Sequence, residues 1–109
     1  MTRLNVSAFR DRLIIEVRQE KPDGAGGVKR GWTPSATIWA AVETLDAEQR
    51  FEAGQIGQRL THRVTLRYRD DLDTTQRFRR AGDVLAIRGV RDPDGQKRRL
   101  ICACEELRP

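Results

Sequence analysis

Hydrophobic and polar residues alternate along most of the chain. In Arg12–Arg18, Leu13, Ile15 and Val17 share one face while Arg12, Glu16 and Arg18 share the other. That is the period of a half-buried strand. Ala36–Thr44 repeats it, with Ile38, Ala40 and Val42 on one side and Trp39 on the other. Thr61–Arg69 is the cleanest case: Val64, Leu66 and Tyr68 alternate with Arg63, Thr65, Arg67 and Arg69. Arg77-Phe78-Arg79 and Val84–Val90 read as a hairpin joined through Ala81-Gly82-Asp83. The last strand spans Arg98–Glu105, with Leu100, Cys102 and Cys104 on one face. Between strands, Gln19–Arg30 is rich in turn residues (Pro22-Asp23-Gly24, Gly26-Gly27) and reads as a long hairpin connection. Asp92-Pro93-Asp94-Gly95 is a tight turn in which Pro presets φ and Gly accepts a positive one.

Helical signal is confined to Ala47–Gln58. Asp46 with Gln49 resembles a capping box. Gly54 and Gly57 each cost about 1 kcal/mol against Ala in a helix, and Glu48 and Glu52 repel each other one turn apart. The segment reads as a weak helix or a mobile loop. The expected fold is therefore mainly all-β: a small antiparallel barrel or sandwich of about six strands with one long loop or short helix. Residues 1–109 are expected to form a single domain.

Composition sharpens this picture. The 109 residues carry 21 Lys+Arg against 16 Asp+Glu, a net charge of +5, and the mean hydropathy is −0.67. A domain of this size buries about two thirds of its unfolded surface, which leaves a thin core, a large surface and no room for a second domain or a large enclosed active site. No apolar run approaches the ~20 residues of a membrane span, so no membrane partner is expected. Met1–Asn5 leads into nothing like a signal peptide, and export is not expected either. The basic residues are nearly all arginine; Lys21, Lys29 and Lys97 are the exceptions. Arginine forks bidentately onto carboxylates and phosphates and is enriched at interfaces, although codon usage in a GC-rich genome accounts for the same bias.

Raw material for catalysis is poor. His62 is the single histidine, a residue more often found at a surface or a cap than in a catalytic role. No Ser, His and Asp pattern is assembled. Gly24-Ala25-Gly26-Gly27 lacks the Lys-Ser/Thr of a phosphate loop and is a turn. Cys102 and Cys104, with only His62 to join them, fall short of a structural zinc site and read as two small buried hydrophobes. No enzyme activity, metal or cofactor is expected. Nucleic-acid binding meets the charge criterion, since the second half of the chain is basic. It misses the stacking criterion: Tyr68 and Phe78 are expected to face inward, and Trp32 and Trp39 lie outside the basic half.

The order of these pieces resembles the head–tail joining family of tailed bacteriophages, also called head completion or stopper proteins. The matching stretches begin with Arg10-Asp11-Arg12-Leu13-Ile14-Ile15, Gly26-Gly27-Val28 before Trp32, Thr37-Ile38-Trp39-Ala40-Ala41-Val42 and Glu48 through Gly54. They continue with Thr61-His62-Arg63-Val64-Thr65-Leu66-Arg67-Tyr68-Arg69, Arg77-Phe78, Gly82-Asp83, Val90-Arg91-Asp92-Pro93-Asp94 and Leu100-Ile101-Cys102. One departure is Ala81-Gly82-Asp83, where relatives often carry a Gly-Arg pair. Similar proteins occur in prophages and in gene transfer agents.

The resemblance implies a structural virion component assembled in the bacterial host cytoplasm. Six or twelve copies would form a ring at the neck of the particle. The ring would dock beneath the portal and adaptor, close the exit channel after packaging of double-stranded DNA, and receive the tail terminator or tail tube. Loop 46–60 would point into the channel, with Glu48, Arg50, Phe51, Gln55, Gln58 and Arg59 as its contact residues. A positive lumen would hold the passing duplex, which carries a charge every ~1.7 Å. Most arginines of Thr61–Arg69 and Arg77–Arg91 are therefore expected to face neighbouring subunits or acidic adaptor and tail surfaces, and the expected interface residues are Trp32, Arg63, Arg67, Arg69, Arg79, Arg88 and Arg91. The alternatives are a small basic β-barrel that binds nucleic acid as a monomer and a tail terminator ring protein.

Overall fold

The computed structural model of the chain describes residues 9–46, residue 48 and residues 59–107. The alternating segments become strands β1 (Asp11–Pro22), β2 (Val28–Thr44), β3 (His62–Arg67), β4 (Arg77–Arg80), β5 (Asp83–Arg91) and β6 (Arg99–Leu107). All pair antiparallel in the order β1-β2-β3-β6-β5-β4. β4 returns to β1 through Ile14↔Arg79, Ile15↔Phe78 and Glu16↔Arg77, which closes the sheet into a barrel. Closure removes most of the free sheet edge that an open sheet would expose.

The pleat sends alternate side chains into the lumen of the barrel. Leu13 and Ile15, Val64 and Leu66, Phe78, Leu85 and Ile87, and Cys102 and Cys104 are fully buried there. Ile38, Ala40 and Leu100 complete the cluster, and Tyr68, Val42 and Val90 pack against it half-buried. Two bulges re-aim the outer face. Glu16 pairs with Pro34 immediately after Ile15 pairs with Ala36, leaving Ser35 extra. Ile87 and Gly89 oppose Cys104 and Ala103, leaving Arg88 extra. Pro34 is accommodated because β2 meets β3 only over Ala40–Thr44.

The segment Gln19–Arg30 corrects the sequence reading. It is not a long connection: the β1–β2 ladder continues from Arg18↔Trp32 to Pro22↔Val28, and only Asp23–Gly27 forms the turn. The polar residues there show no burial pattern because nothing covers them, but a ladder needs only backbone groups. The Asp23 carboxylate accepts hydrogen bonds from the Ala25 and Gly27 amides at 2.8 and 3.0 Å, an Asx-type closure. A Cβ on Gly27 would come within 2.5 Å of that carboxylate, which would have to swing away from its turn hydrogen bonds. The result is a two-stranded arm in which residues 18–32 are all exposed.

Candidate assembly interfaces

Where the arm meets the barrel, Glu16 lies on the outer face of β1 yet is 6% exposed. Closure of the barrel covers it. Arg77 and Arg79 project outward on β4 either side of Phe78, and their Nε groups donate to Glu16 Oε1 at 2.7 Å and Oε2 at 3.1 Å. Burial pushes the Glu16 carboxyl up, but the two guanidinium hydrogen bonds and charges outweigh it and hold the group below its ordinary value. The Arg77 guanidinium also stacks over the Trp32 ring, 4.1 Å from its centroid. Trp32 is thereby fixed at the base of the arm, 37% exposed.

Most of the nominated arginines have acidic partners within their own chain. Arg79 is bound to Glu16. Arg88, pushed out by its bulge, reaches Glu105 at 3.2 Å. Arg69 forks onto Asp71 with two bonds of 2.9 Å, which hold that carboxyl low. Arg63 lies 3.8 Å from Glu43. Arg80, outside the nominated set, sits between Asp11 and Asp83 at 3.5 and 3.7 Å. Arg67 and Arg91 differ: both are exposed and form no ion pair among the described residues. Trp39, at 58% exposure, stands directly opposite Arg12 across the β1–β2 ladder. The fold thus places both tryptophans beside arginines, although both lie outside the basic half of the sequence.

The roots of loop 46–60 are clamped. Leu45 and Leu60 are buried, at 2% and 3% exposure. The Leu45 amide donates to the Thr61 carbonyl, and the Thr61 amide to the Cys104 carbonyl, both at 2.9 Å. The Thr61 hydroxyl contacts His62 Nδ1 at 2.8 Å and accepts from the Glu106 amide at 2.7 Å. The segment therefore leaves and re-enters the barrel at one point of one end. Glu48 and Arg59 are exposed; Arg50, Phe51, Gln55 and Gln58 lie outside the described residues. His62 is buried rather than at the surface, because it holds the inward register of Val64 and Leu66.

Cys102 and Cys104 are free and fully buried in the core. Desolvation pushes the Cys102 thiol up to about 12 and the Cys104 thiol higher still. Burial disfavours the thiolate form that nucleophilic chemistry would need. A shallow cleft of about 320 Å³ lies on the arm between Gln19, Lys21, Lys29 and Trp32, and its lining pairs no nucleophile with a base.

Among the described residues, the chain is a small closed barrel with a charged outer wall, to which both roots of loop 46–60 are held. The family model described as phage head completion protein matches residues 4–107, and the chain belongs to that family. It is a structural virion component, not an enzyme. The solution structure of protein SF1141 from Shigella flexneri 2a is similar over 94% of this chain and 96% of that one, with 30% identity and a TM-score of 0.77. A chain from the virion of a native gene transfer agent particle covers 98% of each, with 24% identity and a TM-score of 0.62, a likeness of fold. No curated protein sequence matches the chain.

Proposed function

We propose that the chain is one subunit of a ring at the head–tail interface, in which loop 46–60 closes the DNA exit channel after packaging and the outer face receives the tail. Family membership supports the setting. The observation that carries the gating role is the clamp at Leu45, Leu60 and Thr61. It holds both roots of a fifteen-residue excursion at one end of the barrel. Folded back on itself, such a segment reaches on the order of 20–25 Å at ~3.3 Å per residue. Copies converging on a ring axis would meet across a duplex-sized opening. Arg50, Phe51, Gln55, Gln58 and Arg59 would supply the contacts between them or with the DNA end.

The clamp also dictates the experiment. Residues 47–58 are replaced by a short Gly-Ser linker that keeps Leu45 and Leu60 in place. The expected result is a barrel that melts as before and particles that lose packaged DNA. Particles that retain DNA normally overturn the gating role.

A further inference from the structure

The ion pairs leave one stretch of the barrel wall out. Arg12 opposes Trp39 across β1–β2, and Arg67 opposes Arg99 across β3–β6, all at outward positions. Ala40 opposes Leu66, so Trp39 and Arg67 occupy the next positions on adjoining strands. Arg91 opposes Ile101, two residues along from Arg99. Arg67 therefore has the exposed Trp39 indole on one side and Arg99 on the other, with half-buried Ile101 two residues along from Arg99, while Arg12 and Arg91 continue the row on the next strands round the barrel. Arg12, Arg67 and Arg91 form no ion pair among the described residues. The Nε of Arg99 is buried with no hydrogen-bond partner there. Like charges placed directly opposite on paired strands destabilise a sheet. Elsewhere on this barrel each clustered arginine has its carboxylate; here none is in place.

We propose that this face, centred on Trp39, Arg67 and Arg99, docks an acidic protein surface on a different chain. The partner's carboxylates sit on the arginines and one of its apolar side chains covers Trp39. The inference rests on the reading that this chain is an assembly subunit and specifies the chemistry of one neighbour. Three physical points select that occupant. Guanidinium forks match carboxylates bidentately, and Trp with Arg is the composition of interface hot spots. A second copy packed wall to wall offers little. In the strand order β4 lies across the barrel from β3, and the acids beside it (Glu16, Asp11, Asp83) are already bound to Arg77, Arg79 and Arg80. Duplex DNA offers phosphates but, with its bases stacked and paired, no apolar seat for the indole.

The test uses the full chain and fluorescence anisotropy with three labelled probes of equal charge: a short peptide of glutamates interspersed with leucines, the same peptide with serines for leucines, and a DNA duplex. The glutamate–leucine peptide is expected to bind tightest. The Arg67→Gln/Arg99→Gln double variant should weaken it about tenfold or more, equivalent to losing one good charged contact. Trp39→Ala should weaken the leucine peptide about tenfold and the serine peptide hardly at all. Lys21→Gln/Lys29→Gln, an equal loss of charge out on the arm, should change neither. Thermal melts confirm that each variant folds, with Trp39→Phe as a conservative second variant. Three outcomes overturn the proposal. The duplex binds as tightly as the leucine peptide and responds to the same variants; the peptide ignores the variants or does not bind; or the variants alter self-association instead. Native mass spectrometry reads ring formation separately. Rings without peptide binding sink the docking face alone, and peptide binding by a chain that never forms rings sinks the ring reading alone.

Discussion

The barrel and the arm are built from the same two strands, yet different forces hold them. In the lower half of the β1–β2 ladder, Leu13 and Ile15 face Ile38 and Ala36 against a closed core. In the upper half, every residue from 18 to 32 is exposed. What orders the arm is its backbone ladder, the Asp23 turn, a Glu20–Arg30 pair at 3.4 Å and a hydrogen bond from the Thr33 hydroxyl to the Gln19 amide oxygen. An exposed pair contributes ~0–1 kcal/mol, and an isolated two-stranded hairpin is marginal in water. The arm therefore adds little to the stability of the barrel. It extends one edge of the molecule outward, with Lys29, Arg30 and Pro34 along the part of β2 that no strand covers, the residue types that blunt an open edge. The contrast separates what folds the chain from what the chain presents.

Deleting an apolar side chain from each half is the sharpest way to break that contrast. Phe78→Ala empties the centre of the barrel and should cost about 3–5 kcal/mol in urea unfolding. Val28→Ala, at a position 56% exposed on the arm, should cost less than about 0.5 kcal/mol. Comparable losses at both sites would mean that the arm is part of the cooperative core.

Next in size is the joint between the halves. Glu16→Gln removes the charge that two guanidiniums share, and should cost about 2 kcal/mol near neutral pH. That is below the ~3–5 kcal/mol of a fully buried pair because Arg79 is partly solvated. The sign of the pH dependence follows from linkage. The folded carboxyl titrates below its ordinary value of 4.5, so the unfolded chain takes up its proton first as pH falls. The stabilisation is complete above that ordinary value and is lost as pH drops through the folded one. Thermal melts of wild type and Glu16→Gln should therefore differ most at neutral pH and converge in acid. A constant difference across that range would show that the ion pair is not what holds the joint.

The strands of the barrel were legible in the sequence because a core on one side imposes a period of two. The arm was not, because a ribbon exposed on both faces imposes none, and its turn glycines masked the ladder on either side. The Glu16 cluster was also hidden. Its partners lie 61 and 63 residues away, brought in only by closure of β4 onto β1. Trp39 and Arg67 likewise meet only through the β2–β3 register. His62 looked like a surface residue until its alternation with Val64 and Leu66 placed it inside. Function was legible mainly through the order of motifs across the whole chain. The residues taken singly left an assembly subunit and a nucleic-acid binder both open.

The smallest expected effect compares how the two halves make their turns. In the arm, the left-handed positions are filled by Gly24 and Gly26, at φ of 81° and 86°. In the barrel, the two-residue turn between β4 and β5 puts Ala81 at φ 49°, at the first central position of a hairpin turn where glycine is the usual residue. A Cβ there is strained. The barrel imposes the conformation because Arg80 pairs with Asp83 directly below the turn and Phe78 anchors β4 in the core. Ala81→Gly should therefore relieve strain, offset in part by the greater freedom of glycine in the unfolded chain. The net gain should be about 0.5 kcal/mol, seen as a rise of a few degrees in the melting temperature. A fall would mean that the turn is already relaxed around alanine, and that the barrel accommodates its connections rather than dictating them.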